Sequence, residues 1–539
     1  MKPVFPNIAS IHFEGQKSKN SLAFKHYNAD EIVAGKQPST AAPDFSQPWL
    51  PDQGDGTYCN PILYADYSDP DVVRVGDDFY MVASSFNCTP GLPILHSKDL
   101  VNWTLIGHAL KNLPHPRYEQ VQPGCGVWAP SIRFHAGKYW IFYPTPDEGI
   151  FLVTAQNPAG PWSEPHCVQA GKGLIDPCPL WDDDGKAYLV HAYAGSRAGI
   201  KHRLRVCPMA PDGSKLLGEG EIVFHQPEKH PTLEGPKFLK EDGWYYILAP
   251  AGGVEAGWQL ALRSKNIYGP YEDKIVLAKG DTDINGPHQG ALVDTLDDGW
   301  WFLHFQDVGF YGRIVHLQPV EWRDGWPLMG KHGEPVRRYK KPINIRGQKP
   351  FAPQTSDEFD DAKLGLQWQW PANHRDDWYS LTARSGWLRL FPQAATKPLN
   401  EQPNLLLQKF PARSFTVETE LELFAGQSGE EAGLVVVGEK SILFGIQHDG
   451  LENWLVLRTD EKLERLRRVT SQPVKLRATV QDGGEFLFSF ADEEEFVQFP
   501  ENFQATKGKW IGAKVGLYSL KQVFNAPAGH ADFDRFQFF

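Results

Sequence analysis

Methionine is scarce, at four residues, and cysteine stops early: all six cysteines lie between Cys59 and Cys207. They show neither CxxC spacing nor a dense framework, so the chain is expected to carry reduced, partly buried thiols. No apolar run approaches the ~18 residues of a membrane span, which argues against a membrane partner. A basic excess is missing too. Lys and Arg total 54 against 66 Asp and Glu, a net charge of −12, which argues against nucleic-acid binding. The first residues, Met1-Lys2-Pro3-Val4-Phe5-Pro6-Asn7, lack an apolar export segment, so a cytoplasmic location is favoured.

Aromatics, in contrast, are plentiful: 18 Trp, 18 Tyr and 32 Phe, with 50 Gly and 43 Pro. Such a composition fits many short strands and turns, with flat faces able to stack on sugar rings. At 539 residues the chain is too long for one core, so two or three domains are expected.

A turn followed by paired aromatics recurs along the first part of the chain. It appears as Gly76-Asp-Asp-Phe-Tyr80, Gly137-Lys-Tyr-Trp140, Asp184-Gly-Lys-Ala-Tyr188, Asp242-Gly-Trp-Tyr-Tyr246 and Asp298-Gly-Trp-Trp-Phe302. Each copy sits between short apolar runs and reads as a hairpin turn. Five such units at spacings of roughly 50–60 residues predict a five-bladed β-propeller over 56–330. A Pro- and Lys-rich stretch, 331–355, reads as a linker. From 356 to 539, alternating runs such as "SFTVETELEL" and "WLVLRT" predict a second all-β domain, a sandwich. Residues 1–55 fit neither pattern. They read as a leader with a short helix opening at Asn28, followed by a linker-like stretch.

Counting back about twelve residues from each closing aromatic reaches Asp69, Trp128, Asp176, Glu234 and Gly290, with His288 two residues earlier. In a propeller these positions are equivalent and converge at one end of the central channel. Three carry carboxylates, each beside a Pro or Gly that suits a strand end or bulge. Converging carboxylates point to glycoside hydrolysis. One acid protonates the leaving oxygen and a second carboxylate activates water, about 6.5–9.5 Å away in an inverting enzyme. A third holds the acid's pKa up by like-charge repulsion.

At this point the motifs "NPILYADYSDPDVVRVGDDFYMVASSF", "GVWAPSI", "LIDPCPLWDDDGKAYLV", "EGPKFLKEDGWYYI", "HQGALVDT" and "GRIVHLQPVEW" resemble glycoside hydrolase family 43, in family order from about Asn60 to Pro327. Beyond Ser356 the chain resembles the concanavalin-like sandwich of the β-xylosidase and α-L-arabinofuranosidase branch. The resemblance implies Asp69 as general base, with Asp71 its rival within the motif. It implies Asp176 as the residue that orients Glu234 and raises its pKa, and Glu234 as general acid. It also implies Phe86 and Trp128 as pocket walls, Arg313 as a sugar-binding arginine facing the carboxylates, and His288 as a residue near a central calcium. "WDDDG" (181–185) looks like a calcium loop, but the repeat pattern makes it a hairpin turn.

The implied activity is an exo-acting, inverting glycosidase releasing terminal pentoses from xylo-oligosaccharides or arabinoxylan. β-D-Xylosidase activity comes first, with α-L-arabinofuranosidase activity on the same site, and no organic cofactor is needed. An endo-arabinanase or a non-catalytic carbohydrate-binding propeller are the alternatives. Oligomeric state is open, a homo-oligomer included. The leader, Phe5–Lys36, resembles the N-terminus of xylose isomerase. The rest of that barrel and its metal ligands are absent, so a fusion is expected rather than isomerase activity. A fused leader also weakens the assignment of location.

Overall fold

The computed structural model describes residues 48–395, 398–491, 495–522 and 528–539. The expected helix at Asn28 lies outside the described residues. The fold is nearly all β. Five four-stranded antiparallel sheets follow one another as blades. Blade I is built from Asp71–Val75, Asp78–Val82, Gly91–Ser97 and Thr104–Leu110. Blade II comprises Ser131–His135, Lys138–Thr145, Gly149–Ala155 and His166–Ala170. Leu174–Trp181, Ala187–Tyr193, Leu204–Met209 and Glu221–Phe224 form blade III. Blade IV takes Lys237–Glu241, Trp244–Ala251, Trp258–Ser264 and Glu272–Ala278. Blade V ends the ring with His288–Asp294, Trp300–Asp307, Arg313–Arg323 and Trp326–Met329.

The repeated aromatics share one register. Tyr80, Trp140, Tyr188, Tyr246 and Phe302 all lie on the second strand of their blade, opposite Val73, Arg133, Leu180, Leu239 and Leu292. The turns before them need left-handed backbone, supplied at Gly76 and Gly137 by φ of +62° and +75°. "WDDDG" is a hairpin turn, closed by Asp182 N–H donating to Lys186 O at 2.8 Å.

Side chains between the sheets form a separate apolar core for each neighbouring pair of blades. Ile94 and Val82 of blade I meet Ile132 and Ile141 of blade II. Phe142 and Leu152 meet Leu189 and Met209, Val190 and Val206 meet Ile247 and Leu262, and Leu248 and Val276 meet Phe302 and Met329. Val72 and Met81 then meet Leu303 and Leu317, which closes the ring. The closure is also hydrogen-bonded. Ile62 N–H donates to Val315 O at 2.8 Å, and Tyr58 Oη donates to Leu317 O at 2.8 Å.

Among the described residues two seven-stranded sheets form the sandwich. One contains Phe415–Phe424, whose strict in–out burial matches its alternating sequence; the other contains Glu431–Val437 and Lys514–Lys521. Its core continues into the propeller through Tyr64, Tyr311 and Ile314. Thr89 and Trp370 exchange backbone hydrogen bonds at 2.9 and 2.6 Å across the same junction.

The stretches read as linkers are packed. Trp49 donates to Pro61 O at 2.9 Å and its ring lies 5.0 Å from that of Tyr64. Thr57–Cys59 pairs with Arg338–Lys340, in the stretch after the last blade. Pro and Gly there mark irregular backbone, which can still dock. Lys341 is buried and ion-paired to both Asp52 and Asp99, and Asn102 donates to those carboxylates at 2.8 and 2.7 Å. All six cysteines are unpaired.

Removing one member of a buried ion network leaves its partners charged and dry. Lys341→Ala should therefore lower the unfolding free energy by about 3 kcal/mol in urea titrations. The exposed neighbour Lys340→Ala should leave it within about 0.5 kcal/mol of wild type.

Candidate active site

Each blade sends the start of its innermost strand to the same end of the channel. There Asp69, Phe86, Trp128, Asp176, Glu234 and Arg313 line one cavity of about 580 Å³. All three predicted carboxylates, both predicted aromatics and the predicted arginine thus meet. The backbone at this end is unusual. Asp69 and Asp176 adopt left-handed φ of +54° and +56°, and Gly235, beside Glu234, has φ of +61°. Asp176 sits where the pairing register shifts between Ile175 and Cys178. Bulges of this kind re-aim a side chain out of the sheet plane.

Asp69 is buried. It accepts hydrogen bonds from Ser68 Oγ at 2.7 Å and Ser84 Oγ at 2.6 Å, and Arg313 Nη1 reaches its two oxygens at 3.1 and 3.3 Å. The same Nη1 donates to Ser68 Oγ at 2.8 Å. Its rival, Asp71, is not at the cavity. Its Oδ2 accepts from Ile132 N–H at 2.8 Å and Arg133 Nη1 at 2.7 Å, so it joins blade I to blade II.

Asp176 Oδ2 accepts the Gly235 N–H at 2.7 Å, which places it against the Glu234 peptide. Burial, with the nearby Asp69 charge, pushes its carboxyl up to about 7, while the Gly235 N–H and Lys237 pull the other way. Burial first and Asp176 second push Glu234 up to about 8, against the pull of Arg313. Asp176 therefore has donors that favour its ionised form, and among the described residues no hydrogen bond to Glu234's carboxylate offsets the repulsion. The pair keeps its proton on Glu234. The Glu234 side chain is 29% exposed and faces the cavity.

Phe86 and Trp128 stand together, ring centroids 6.4 Å apart. Trp128 is half-buried and carries Arg197 over its ring at 5.2 Å. His288 lies behind Glu234, with Nε2 3.5 Å from Oε1, and burial pushes its imidazole down to about 3. Neither ring nitrogen has a hydrogen-bond partner among the described residues. Gln289, its neighbour, reaches the cavity instead. Among the described residues no group of three or more His, Cys, Asp and Glu could hold a metal ion.

Among the wall residues that escaped the sequence reading are Lys201, Thr232, Gln289 and Trp510. Gln289 sits one residue from a predicted position, so the repeat phase could have found it. Trp510 comes from the sandwich, on a loop between Val497–Gln504 and Lys514–Lys521. No periodicity in the propeller points to it.

The model of glycosyl hydrolases family 43 matches residues 58–327, and that of the β-xylosidase C-terminal concanavalin A-like domain matches 356–539. The chain belongs to glycosyl hydrolases family 43. This family-43 chain is therefore a glycoside hydrolase. A Formosa agariphila β-xylosidase is 34% identical, covering 90% of this chain and 91% of its own. A Bacteroides ovatus non-reducing end α-L-arabinofuranosidase is 35% identical, with coverages of 88% and 89%. Among solved structures, a Bacillus halodurans xylan β-1,4-xylosidase superposes with a TM-score of 0.78 at 26% identity, covering 89% of this chain and 99% of that one.

The raised pKa of Glu234 has a cost in stability. An unfolded glutamate ionises near 4.5, whereas the native one holds its proton to about 8. Stability therefore falls as pH rises through that window. Glu234→Gln should stabilise the family-43 fold by roughly 2 kcal/mol at pH 8, discounted for partial exposure, and give nothing at pH 4. Urea unfolding at the two pH values measures the difference.

Proposed function

We propose that this enzyme is an exo-acting, inverting pentosidase that removes terminal xylose from xylo-oligosaccharides and arabinoxylan fragments. Glu234 is the acid and Asp69 the base. The water oxygen attacks the anomeric carbon while Asp69 takes its proton. The glycosidic carbon–oxygen bond breaks and Glu234 gives its proton to the leaving oxygen. Asp176 orients Glu234 and keeps it protonated. Arg313 holds Asp69 and is placed to bind sugar hydroxyls, and Phe86 and Trp128 form an apolar wall for the ring.

The observation that carries this reading is the electrostatic asymmetry of the cavity. One carboxyl is held protonated near neutral pH by burial and a neighbouring carboxylate, while another is ion-paired to an arginine. Activity on α-L-arabinofuranosides is the second reading, favoured by the named activity of the Bacteroides relative. An endo-acting enzyme needs a groove open along the chain, and Trp510 instead adds a wall from the second domain.

Calcium remains part of the proposal. His288 is buried and neutral with both ring nitrogens unpaired, which fits one ligand of a cation otherwise held by water oxygens. Such an ion would supply positive charge near Glu234, acting against the burial and the Asp176 charge that keep that carboxyl protonated.

Nitrophenyl xyloside, nitrophenyl arabinofuranoside, xylobiose and linear arabinan separate the readings. Wild type should turn over the first three, and NMR should show α-xylose as the first product from a β-xyloside. Retention of the β-anomer, or turnover of arabinan alone, would overturn the assignment. Asp69→Asn should lose about 10³-fold or more on both xylosides. Glu234→Ala should lose as much on xylobiose but far less on the nitrophenyl substrate, whose leaving group needs little protonation.

The pH profile tests Asp176. Wild-type kcat/KM should fall on the alkaline side as Glu234 loses its proton. Asp176→Asn should move that limb about one pH unit lower, because one repelling charge is gone while the burial remains. An unmoved alkaline limb contradicts the role given to Asp176.

A further inference from the structure

Asp66, three residues before Asp69, is buried and has both carboxylate oxygens committed to backbone donors from different domains. Oδ1 accepts the N–H of Arg313, on the propeller's last blade, at 2.9 Å. Oδ2 accepts the N–H of Gly512, on the sandwich loop that carries Trp510, also at 2.9 Å. One side chain thereby joins the backbone of the arginine that grips Asp69 to the backbone two residues from the tryptophan on the cavity wall.

The surrounding packing leaves this junction little slack. A Cβ at Gly312 would meet Asp66 Cγ at 2.5 Å, and one at Gly512 would meet Gly312 N and Tyr311 C at 2.8 Å. Both glycines let the two backbones close on the carboxylate. Ala513 N–H adds a hydrogen bond to Phe310 O at 2.7 Å, and Tyr311 Oη donates to Arg413 O at 2.6 Å. The turn before Arg313 and the Trp510 loop therefore form one hydrogen-bonded unit with Asp66 at its centre.

We infer that Asp66 is a positioning residue that sets Arg313 and Trp510 together, so that the sandwich helps align the propeller's Arg313–Asp69 pair as well as walling the pocket. The inference rests on the roles proposed above for Arg313 and Asp69. A buried carboxylate with two N–H donors holds geometry tightly, because leaving either donor unpaired is costly. Displacing a positioned group by about 1 Å can cost up to about 10²-fold in rate.

Asp66→Asn keeps the shape but turns an NH₂ group toward one of the two N–H donors. It should lower kcat on xylobiose about 10-fold, through Arg313 and Asp69, and raise KM for xylotriose about 10-fold, through Trp510. Gly512→Ala leaves the carboxylate intact and forces the two backbones apart. It should reproduce both changes, and the double variant should be little worse than either single one. Asp66→Glu, with the charge kept but the reach altered, should recover part of kcat.

A purely structural Asp66 predicts a lower melting temperature with wild-type kcat and KM per folded molecule, and that result overturns the inference. So does full additivity of the two variants. If Asp66→Asn does not fold, Gly512→Ala decides by the same split between kcat and KM. A crystal structure of Asp66→Asn gives a readout free of substrate. Displacement of both Arg313 and Trp510 supports the coupling, and both in place refutes it. Absence of pentosidase activity in wild type would instead sink the proposed function, leaving the crystallographic test standing.

Discussion

Carboxylates brought together out of water repel, and each loses hydration that only a hydrogen bond, an ion pair or a proton can replace. The channel end of this protein holds three of them around one cavity, and each meets the constraint differently. Asp69 has two serine hydroxyls and Arg313. Asp176 has the Gly235 N–H, with Lys237 nearby. Glu234 keeps its proton. The proposed division of labour rests on that unequal supply of donors, since three equally solvated acids would have no acid and base among them.

Such an arrangement needs a frame that does not relax, because relaxation would let water in and let the carboxylates separate. The ring provides it. Each blade packs on both neighbours through its own apolar core, and blade V packs back on blade I. A closed circle cannot widen at one seam without straining the others. The left-handed backbone at Asp69 and Asp176 is tolerable in that setting, where strand pairing on one side and blade packing on the other fix the local path.

The fold and the cavity's three carboxylates were legible because a propeller converts sequence period into spatial symmetry. Once Tyr80, Trp140, Tyr188, Tyr246 and Phe302 are recognised as one structural position, the residues a fixed step earlier must share a ring, whatever their type. That step led to Asp69, Trp128, Asp176 and Glu234, and missed the fifth blade's contribution by one residue, where Gln289 rather than His288 faces the cavity. The phase pointed to Asp69 rather than Asp71, its rival within the motif, and the structure spends Asp71 on Ile132 and Arg133 of the next blade. Phe86 and Arg313 lie outside the period and were legible only through the family motifs; what neither the period nor the motifs carried was illegible. Trp510 and Gly512 arrive from the other domain by a contact that no local pattern encodes. The docked segments around Trp49 and Lys341 looked like linkers because their packing depends on single residues in irregular backbone.

The sequence reading named only like-charge repulsion as what keeps the acid protonated, and the structure adds burial ahead of it. Burial is the larger cause for Glu234, and Asp176 comes second. The acid's pKa is therefore a property of the whole cavity, including the wall contributed by the second domain. A wider mouth would admit water to Glu234, lower its pKa and weaken it as a proton donor near neutral pH, while also loosening the fit around a terminal sugar. Under the proposed function, selection for a short-chain substrate and selection for a protonated acid act on the same surface. This gives a physical reason for a propeller that already carries all three carboxylates to keep a sandwich packed against it.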